Sequence, residues 1–138
     1  MKLVDCFIFS NGKSIVGLTP GPYKVYGSTG VVGSSDKYNF CGTNTLIARV
    51  GANCGFAQFV SGEYWVSDNT IIAKSRETIV PKYGYYLLSQ LNLQRLKIGA
   101  AQPLLTIGIL NSTEARVHSL EDQRHIVNTT SSLLLKSL

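Results

Sequence analysis

Thr45-Leu46-Ile47-Ala48-Arg49-Val50-Gly51-Ala52-Asn53-Cys54-Gly55-Phe56-Ala57-Gln58-Phe59-Val60 is the stretch from which the fold can be read. Two apolar runs, 45–50 and 57–60, flank a short segment that begins and ends in glycine. Runs rich in β-branched and aromatic residues favour pleated strands, and a glycine-bounded connection favours reversal, so the stretch predicts a β-hairpin. The same texture extends outward on both sides. Phe7-Ile8-Phe9, Tyr23-Lys24-Val25-Tyr26, Tyr64-Trp65-Val66 and Thr70-Ile71-Ile72-Ala73-Lys74 are further short runs with turn residues between them. Ten of the thirteen glycines fall between Gly12 and Gly62, which makes residues 1–80 a β-rich zone forming a compact sheet.

The period changes after residue 80. Tyr83, Tyr86, Leu87, Leu91, Leu93 or Gln94, and Leu96 approximate the spacing of one helix face, Pro81 stands where a helix can begin, and Gly99 is a stop signal. This predicts a helix over 82–97, then a loop at 99–103 and a short segment over 104–110. Ser119-Leu120-Glu121-Asp122 opens the last zone with a capping-box-like start. Leu120, Val127 and Leu134 recur every seven residues, and Arg124 and Ser131 interrupt the second apolar row of the heptad. A helix over 119–138 would be about 30 Å long and has a face suited to a partner helix. The expected class is α+β: a β-rich domain over 1–118 with one packed helix, followed by a terminal helix over 119–138.

At 138 residues the chain suits one domain with its own core. An apolar content of 44% with only 15% charge excludes a disordered chain, and no apolar run approaches the length of a membrane span. The start, Met1-Lys2-Leu3-Val4-Asp5-Cys6-Phe7, lacks a small-residue cleavage site, so a cytoplasmic location is expected. A net charge of +5 favours a polyanionic partner, although basic proteins without one are common. Cys6, Cys41 and Cys54 are odd in number and far apart, without ligand spacing to a histidine, and read as buried thiols rather than zinc ligands or disulfides.

Catalytic signatures are missing. There is no Walker loop and no GxSxG elbow, and Gly27-Ser28-Thr29-Gly30-Val31-Val32-Gly33 lacks the helix and the Lys-Ser/Thr pair of a phosphate cradle. It reads as a turn between strands. Cys54 with His118 or His125 is a conceivable nucleophile and base, but exposed helix histidines are the plainer reading. The carboxylates show no metal-loop spacing, so neither a metal nor a cofactor is expected. A binding surface fits better. Tyr23, Lys24, Tyr26, Ser28 and Thr29 gather aromatic, cationic and hydroxyl groups around the glycine loop, and Arg49, Asn53, Lys74 and Arg76 add donors of the kinds that read bases and hold phosphates. The plainer alternative is a solvated β surface.

Six segments in order resemble the target-recognition domain of type I restriction–modification specificity subunits. They are 21–33, Leu46-Ile47-Ala48-Arg49-Val50-Gly51-Ala52-Asn53-Cys54-Gly55, Tyr64-Trp65-Val66-Ser67-Asp68-Asn69-Thr70, Tyr83-Gly84-Tyr85-Tyr86-Leu87-Leu88, Ala100-Ala101-Gln102-Pro103-Leu104-Leu105-Thr106 and Leu120-Glu121-Asp122-Gln123-Arg124-His125-Ile126. The resemblance implies a non-catalytic subunit that directs methyltransferase and restriction subunits to double-stranded DNA. Each of its two usual recognition domains reads part of a bipartite site, and long helices set the gap. The expected DNA contacts are Lys13, Lys24, Tyr26, Ser28, Thr29, Arg49 and Asn53, with Lys74, Arg76 and Gln102 further out. Arg49 has the alternative of bracing the fold, and Tyr23, Tyr85 and Trp65 are expected in the core.

Against the family's usual pattern, one recognition domain and a short terminal helix are expected, and Ala115-Arg116-Val117-His118-Ser119 lacks prolines. A homodimer, or pairing with another specificity chain through Leu120, Val127 and Leu134, would complete the usual pair of domains. The rival expectation is a degenerate or truncated form that binds protein and no longer reads DNA.

Overall fold

The computed structural model describes residues 1–15, 17–99 and 101–137, with the side chains of 131–137 outside the description. Eight strands run in chain order: β1 (Phe7–Asn11), β2 (Tyr23–Gly27), β3 (Gly30–Ser35), β4 (Phe40–Cys41), β5 (Asn44–Ala48), β6 (Ala57–Val60), β7 (Glu63–Val66) and β8 (Thr70–Ser75). Three helices follow: α1 (Pro81–Gln90), α2 (Ile107–Ser112) and α3 (Leu120–Ser137). Short 3-10 turns occupy Leu3–Asp5 and Leu93–Leu96. The class is α+β.

The expected hairpin is present. β5 and β6 pair antiparallel from Asn44↔Val60 to Ile47↔Ala57. The strands form two sheets rather than one, ordered β1-β8-β5-β6 and β3-β2-β7-β4. The first is wholly antiparallel, whereas the second contains a parallel β2–β7 pair. The central strands of the first sheet carry near-continuous apolar runs because both their faces are covered. Leu46 and Ile72, paired across β5 and β8, face a small core with Val60, Tyr64 and Val66, against which Tyr26 and Phe40 pack. Ile47 and Ile71, the next pair, face the opposite way into the main core with Leu3, Phe7, Leu88, Leu105 and Leu110. Each such fully buried Leu or Ile contributes about 1.5–3 kcal/mol.

α1 begins at Pro81 as expected, but it ends at Gln90 instead of running to residue 97. Asn92 adopts a left-handed conformation at φ 51°, and the chain continues as the 3-10 turn Leu93–Leu96. The apolar spacing survived the break because a 3-10 turn also returns a side chain to the same face about every three residues. Gly99, with φ +89°, therefore turns a loop rather than ending a helix. The short segment expected over 104–110 divides into Leu104, bridged to both Ile98 and Val50, and the helix α2, whose Thr106 hydroxyl caps Ile109 N–H.

α3 starts at the expected cap, where Ser119 Oγ accepts from Asp122 N–H at 3.2 Å. Gln123, one turn in, is fully buried. Its Oε1 accepts from Val80 N–H at 2.8 Å, and its Nε2 donates to Thr78 O and His118 O, each at 2.9 Å. Ile126 and Val127 pack against the main core. Val127, expected on a face directed at a partner, is thus half-buried on its own domain. Leu120 is likewise half-buried, and the side chain of Leu134 lies outside the described residues. Among the described residues no helix is long and apolar enough to cross a membrane.

Candidate nucleic-acid interface

The register sets the geometry. Ala48↔Thr70, Asn11↔Ile71, Ile47↔Ala57 and Tyr26↔Val66 bring the ends of β1, β2, β5 and β7 and the starts of β6 and β8 to one end of the two sheets. Backbone bonds tie these connections together. Gly12 N–H donates to Thr70 O, Lys13 N–H to Val66 O, Ser67 N–H to Tyr26 O, Gly51 N–H to Pro103 O and Leu105 N–H to Arg49 O, at 2.8–3.1 Å. A glycine is required at position 12, where a Cβ would come within 2.0 Å of Ser67 O.

Seven of the ten expected contact residues converge on this end: Lys13, Tyr26, Ser28, Thr29, Arg49, Asn53 and Gln102. Lys13 holds Trp65 Nε1–H at 2.9 Å through its carbonyl, which leaves its side chain exposed. Ser28 and Thr29 form the two-residue tip between β2 and β3, and Gln58 Nε2 donates to Gly27 O at 3.0 Å to hold that tip. Asn53 is exposed in the loop between β5 and β6, and Gln102 is exposed beside Pro103. Tyr26 is half-buried, edge-on to Tyr64 at 5.7 Å.

Arg49 occupies the place foreseen for it as a brace. Its Nε and Nη2 both donate to Asp68 O, at 3.1 and 2.7 Å, clamping the turn between β7 and β8. Ser14 Oγ donates to Asp68 Oδ2 at 3.0 Å, and Ser67 and Thr70 hydroxyls both engage Asn69 Oδ1. Ser14, Asp68 and Asn69 are therefore part of this polar end, and Lys97 is exposed beside Ile98, which bridges to Leu104. Their residue types are common in turns, and nothing in their spacing marks them. Only the pairing of distant strands brings them to the same place.

The other three expected contacts go elsewhere. Lys74 pairs opposite Ile8, toward the far end of β8. Arg76 lies beyond it, with Nε donating to Val4 O at 2.9 Å and its N–H to Cys6 O. Lys24 is exposed in the middle of β2, opposite Ser34 and Tyr64. Tyr23, Trp65 and Tyr85, expected in the core, are half-buried. Tyr23 packs on Tyr38, and Tyr85 packs on Phe59 beneath the Lys82 ammonium.

The Cys54 thiol is buried and donates to Arg49 O at 3.4 Å, and burial pushes its pKa up, the reverse of an activated nucleophile. His118, its conceivable partner, instead pairs Nδ1 with the Tyr83 hydroxyl at 2.9 Å. Cys41 is exposed, contrary to the expectation of three buried thiols. Burial raises the Cys6 pKa as it does that of Cys54. Among the described residues no group of three or more His, Cys, Asp or Glu could hold a metal ion.

The domain is a helix-backed pair of sheets whose glycine-rich loops gather hydroxyl, amide and cationic groups at one end. The type I restriction modification DNA specificity domain matches residues 3–136, and the chain belongs to that family. It is 28% identical over 104 residues to the type I restriction enzyme EcoprrI specificity subunit of Escherichia coli, covering 75% of this chain and 26% of that protein. The crystal structure of the S subunit of a type I restriction–modification system from M. genitalium superposes with a TM-score of 0.84 at 20% identity, over 96% of this chain and 37% of that one. The HsdS subunit of Thermoanaerobacter tengcongensis superposes at 0.77 with 13% identity, over 99% and 37%. The chain thus spans about a quarter to a third of the length of these relatives.

Proposed function

We propose that this chain is a target-recognition domain of a type I restriction–modification specificity subunit, reading a few base pairs of duplex DNA with the loop-built end of its sheets. The observation that carries the reading is the convergence of Lys13, Tyr26, Ser28, Thr29, Arg49, Asn53 and Gln102 on one end of a domain of this family. Lys13 and Lys97 supply exposed cations for phosphate, the hydroxyls and amides of the tips supply groups for base edges, and the Arg49 clamp keeps the Asp68 turn in register. Lys24, on the flank, suits the phosphates of a neighbouring strand. Lys74 and Arg76 are assigned outer or structural roles. The domain performs no chemistry of its own in this reading. It positions methyltransferase and restriction subunits, and it works in the cytoplasm.

Residues 1–118 form the reading unit and 119–138 the beginning of a spacer. The face of α3 that this domain leaves uncovered pairs with the helix of a second copy or of another specificity chain. Selection of bound duplexes from a randomised library at low and moderate salt tests the function, with and without the purified methyltransferase subunit. Enrichment that persists at moderate salt is expected, since counterion-driven binding collapses there. A palindrome with a fixed gap would identify a dimer. No enrichment under either condition would overturn the reading in favour of a protein-binding role.

A further inference from the structure

The hairpin of β2 and β3 presents two adjacent apolar side chains to solvent. Val31 and Val32 are 53% and 59% exposed, although consecutive residues of a strand ordinarily face opposite sides and a β-branched apolar residue is ordinarily covered on one. The register explains how. Tyr26 pairs with Val31 and Val25 with Gly33, so Val32 is an extra residue in a β-bulge. Bulges bend a strand and re-aim a side chain. Here the result is an apolar pair held in solvent beside the hydroxyl tip Ser28-Thr29, on the edge strand of its sheet. A bulge also protects an edge from unwanted pairing, but that purpose is served by charge or proline and not by two exposed valines.

The hairpin is held firmly. Gln58 Nε2–H to Gly27 O, Ser67 N–H to Tyr26 O and the edge-on packing of Tyr26 against Tyr64 fix its tip relative to the rest of the polar end. From Tyr23 to Ser35 it carries one charge, Lys24, and no carboxylate. A two-stranded ribbon, its strands about 4.8 Å apart, fits the major groove of about 12 Å. The feature of that groove that an exposed valine recognises is the 5-methyl group of thymine.

We infer that the β2–β3 hairpin enters the major groove and that Val31 and Val32 read thymine through its methyl group, with Lys24 on the flanking phosphate. The inference rests on the DNA-reading function proposed above and names part of its specificity. The experiment takes the selected duplex and replaces each thymine in turn by deoxyuridine, which lacks only the methyl. One or two positions should lose about fourfold in affinity, the cost of one unburied methyl. Val31→Ala and Val32→Ala should bind the thymine duplex more weakly and lose the distinction between thymine and uracil at those positions. Because both side chains are exposed, the variants should melt as the parent does. A selected site without an A·T pair, a site indifferent to every replacement, or valine variants that keep the full thymine preference would each overturn the inference while leaving the DNA-reading function intact. Failure to select any duplex would overturn both.

Discussion

Gln123 offers the sharpest test of how α3 is attached. Its amide is fully buried and makes three hydrogen bonds, to Val80 N–H, Thr78 O and His118 O. Gln123→Ala removes all three and strands their partners beneath the helix. At about 1 kcal/mol for each bond, the loss is about 3 kcal/mol, a large part of a typical total of about 5–15 kcal/mol. For a chain of this length that is a fall of roughly 10 °C in Tm. Gln123→Glu preserves shape and the acceptor for Val80 N–H, but it turns a carboxylate oxygen toward two carbonyl oxygens. Burial and those carbonyls raise the new carboxyl above its unfolded value of about 4.3. The resulting penalty is full above the raised folded pKa and fades as pH falls toward the unfolded one. The protonated acid still lacks one donor, which leaves about 1 kcal/mol unrecovered. Urea denaturation of parent and variants between pH 5 and pH 8 measures these differences. A loss below about 1 kcal/mol for Gln123→Ala, or a pH-independent gap for Gln123→Glu, would refute the assigned hydrogen bonding.

Three further outcomes follow from the same geometry. Lys13→Ala should reduce the salt slope of DNA binding by about one unit, whereas Arg49→Ala should weaken binding with little change in slope, because its guanidinium is engaged with Asp68 O. Fluorescence anisotropy over a salt series separates the two, and equal slope changes would put Arg49 on a phosphate. Thiol labelling should modify Cys41 at once and reach Cys6 and Cys54 only as the protein unfolds, with DNA binding intact in Cys54→Ala. Tyr64→Phe removes the hydroxyl that accepts from Asn44 Nδ2 at 2.7 Å and donates to Gly42 O at 3.1 Å, and chemical denaturation should register a loss of about 1–2 kcal/mol.

The hairpin at 45–60 was legible because strand and reversal signals there are local. So was the start of α3, where Ser119 and Asp122 are neighbours on the chain. The second sheet was not. The runs Thr45-Leu46-Ile47-Ala48 and Thr70-Ile71-Ile72-Ala73 announce burial on both faces but do not say what covers each, and the parallel pairing of β2 with β7 joins segments far apart in sequence. The break at Asn92 was masked by leucines that keep helical spacing through a 3-10 turn. The same limit governs the site. Residue type points to Arg76 as readily as to Lys13, yet one lies at the foot of the domain and the other at the polar end. Gln123 was hidden among charged neighbours that are all exposed, since one polar residue in a helical turn carries no sign that it points inward.

These placements divide the domain along β8. Thr70 begins the strand at the polar end, and just past Ser75, at the opposite end, Thr78 and Val80 receive Gln123 of α3. The strand is six residues, so the polar end and the seat of the helix are roughly 20 Å apart and joined through the most buried strand pair among the described residues. Around that seat, Leu3 N–H donates to Thr113 O, Lys2 bridges to Glu114 and Arg76 Nε–H holds Val4 O, so the segment leading into α3 is fastened to the start of the chain. The close-packed core between the two ends resists rearrangement. Changes at the loops should therefore alter which DNA is held while stability stays nearly constant. Changes at the seat should lower stability and disturb the direction of α3, while the sequence preferred by each folded molecule stays the same. On the proposed function, with α3 as the start of a spacer, Gln123 would govern spacing and Val31, Val32 and their neighbours would govern sequence. A Gln123 variant selected against a randomised library should then recover the parental half-site.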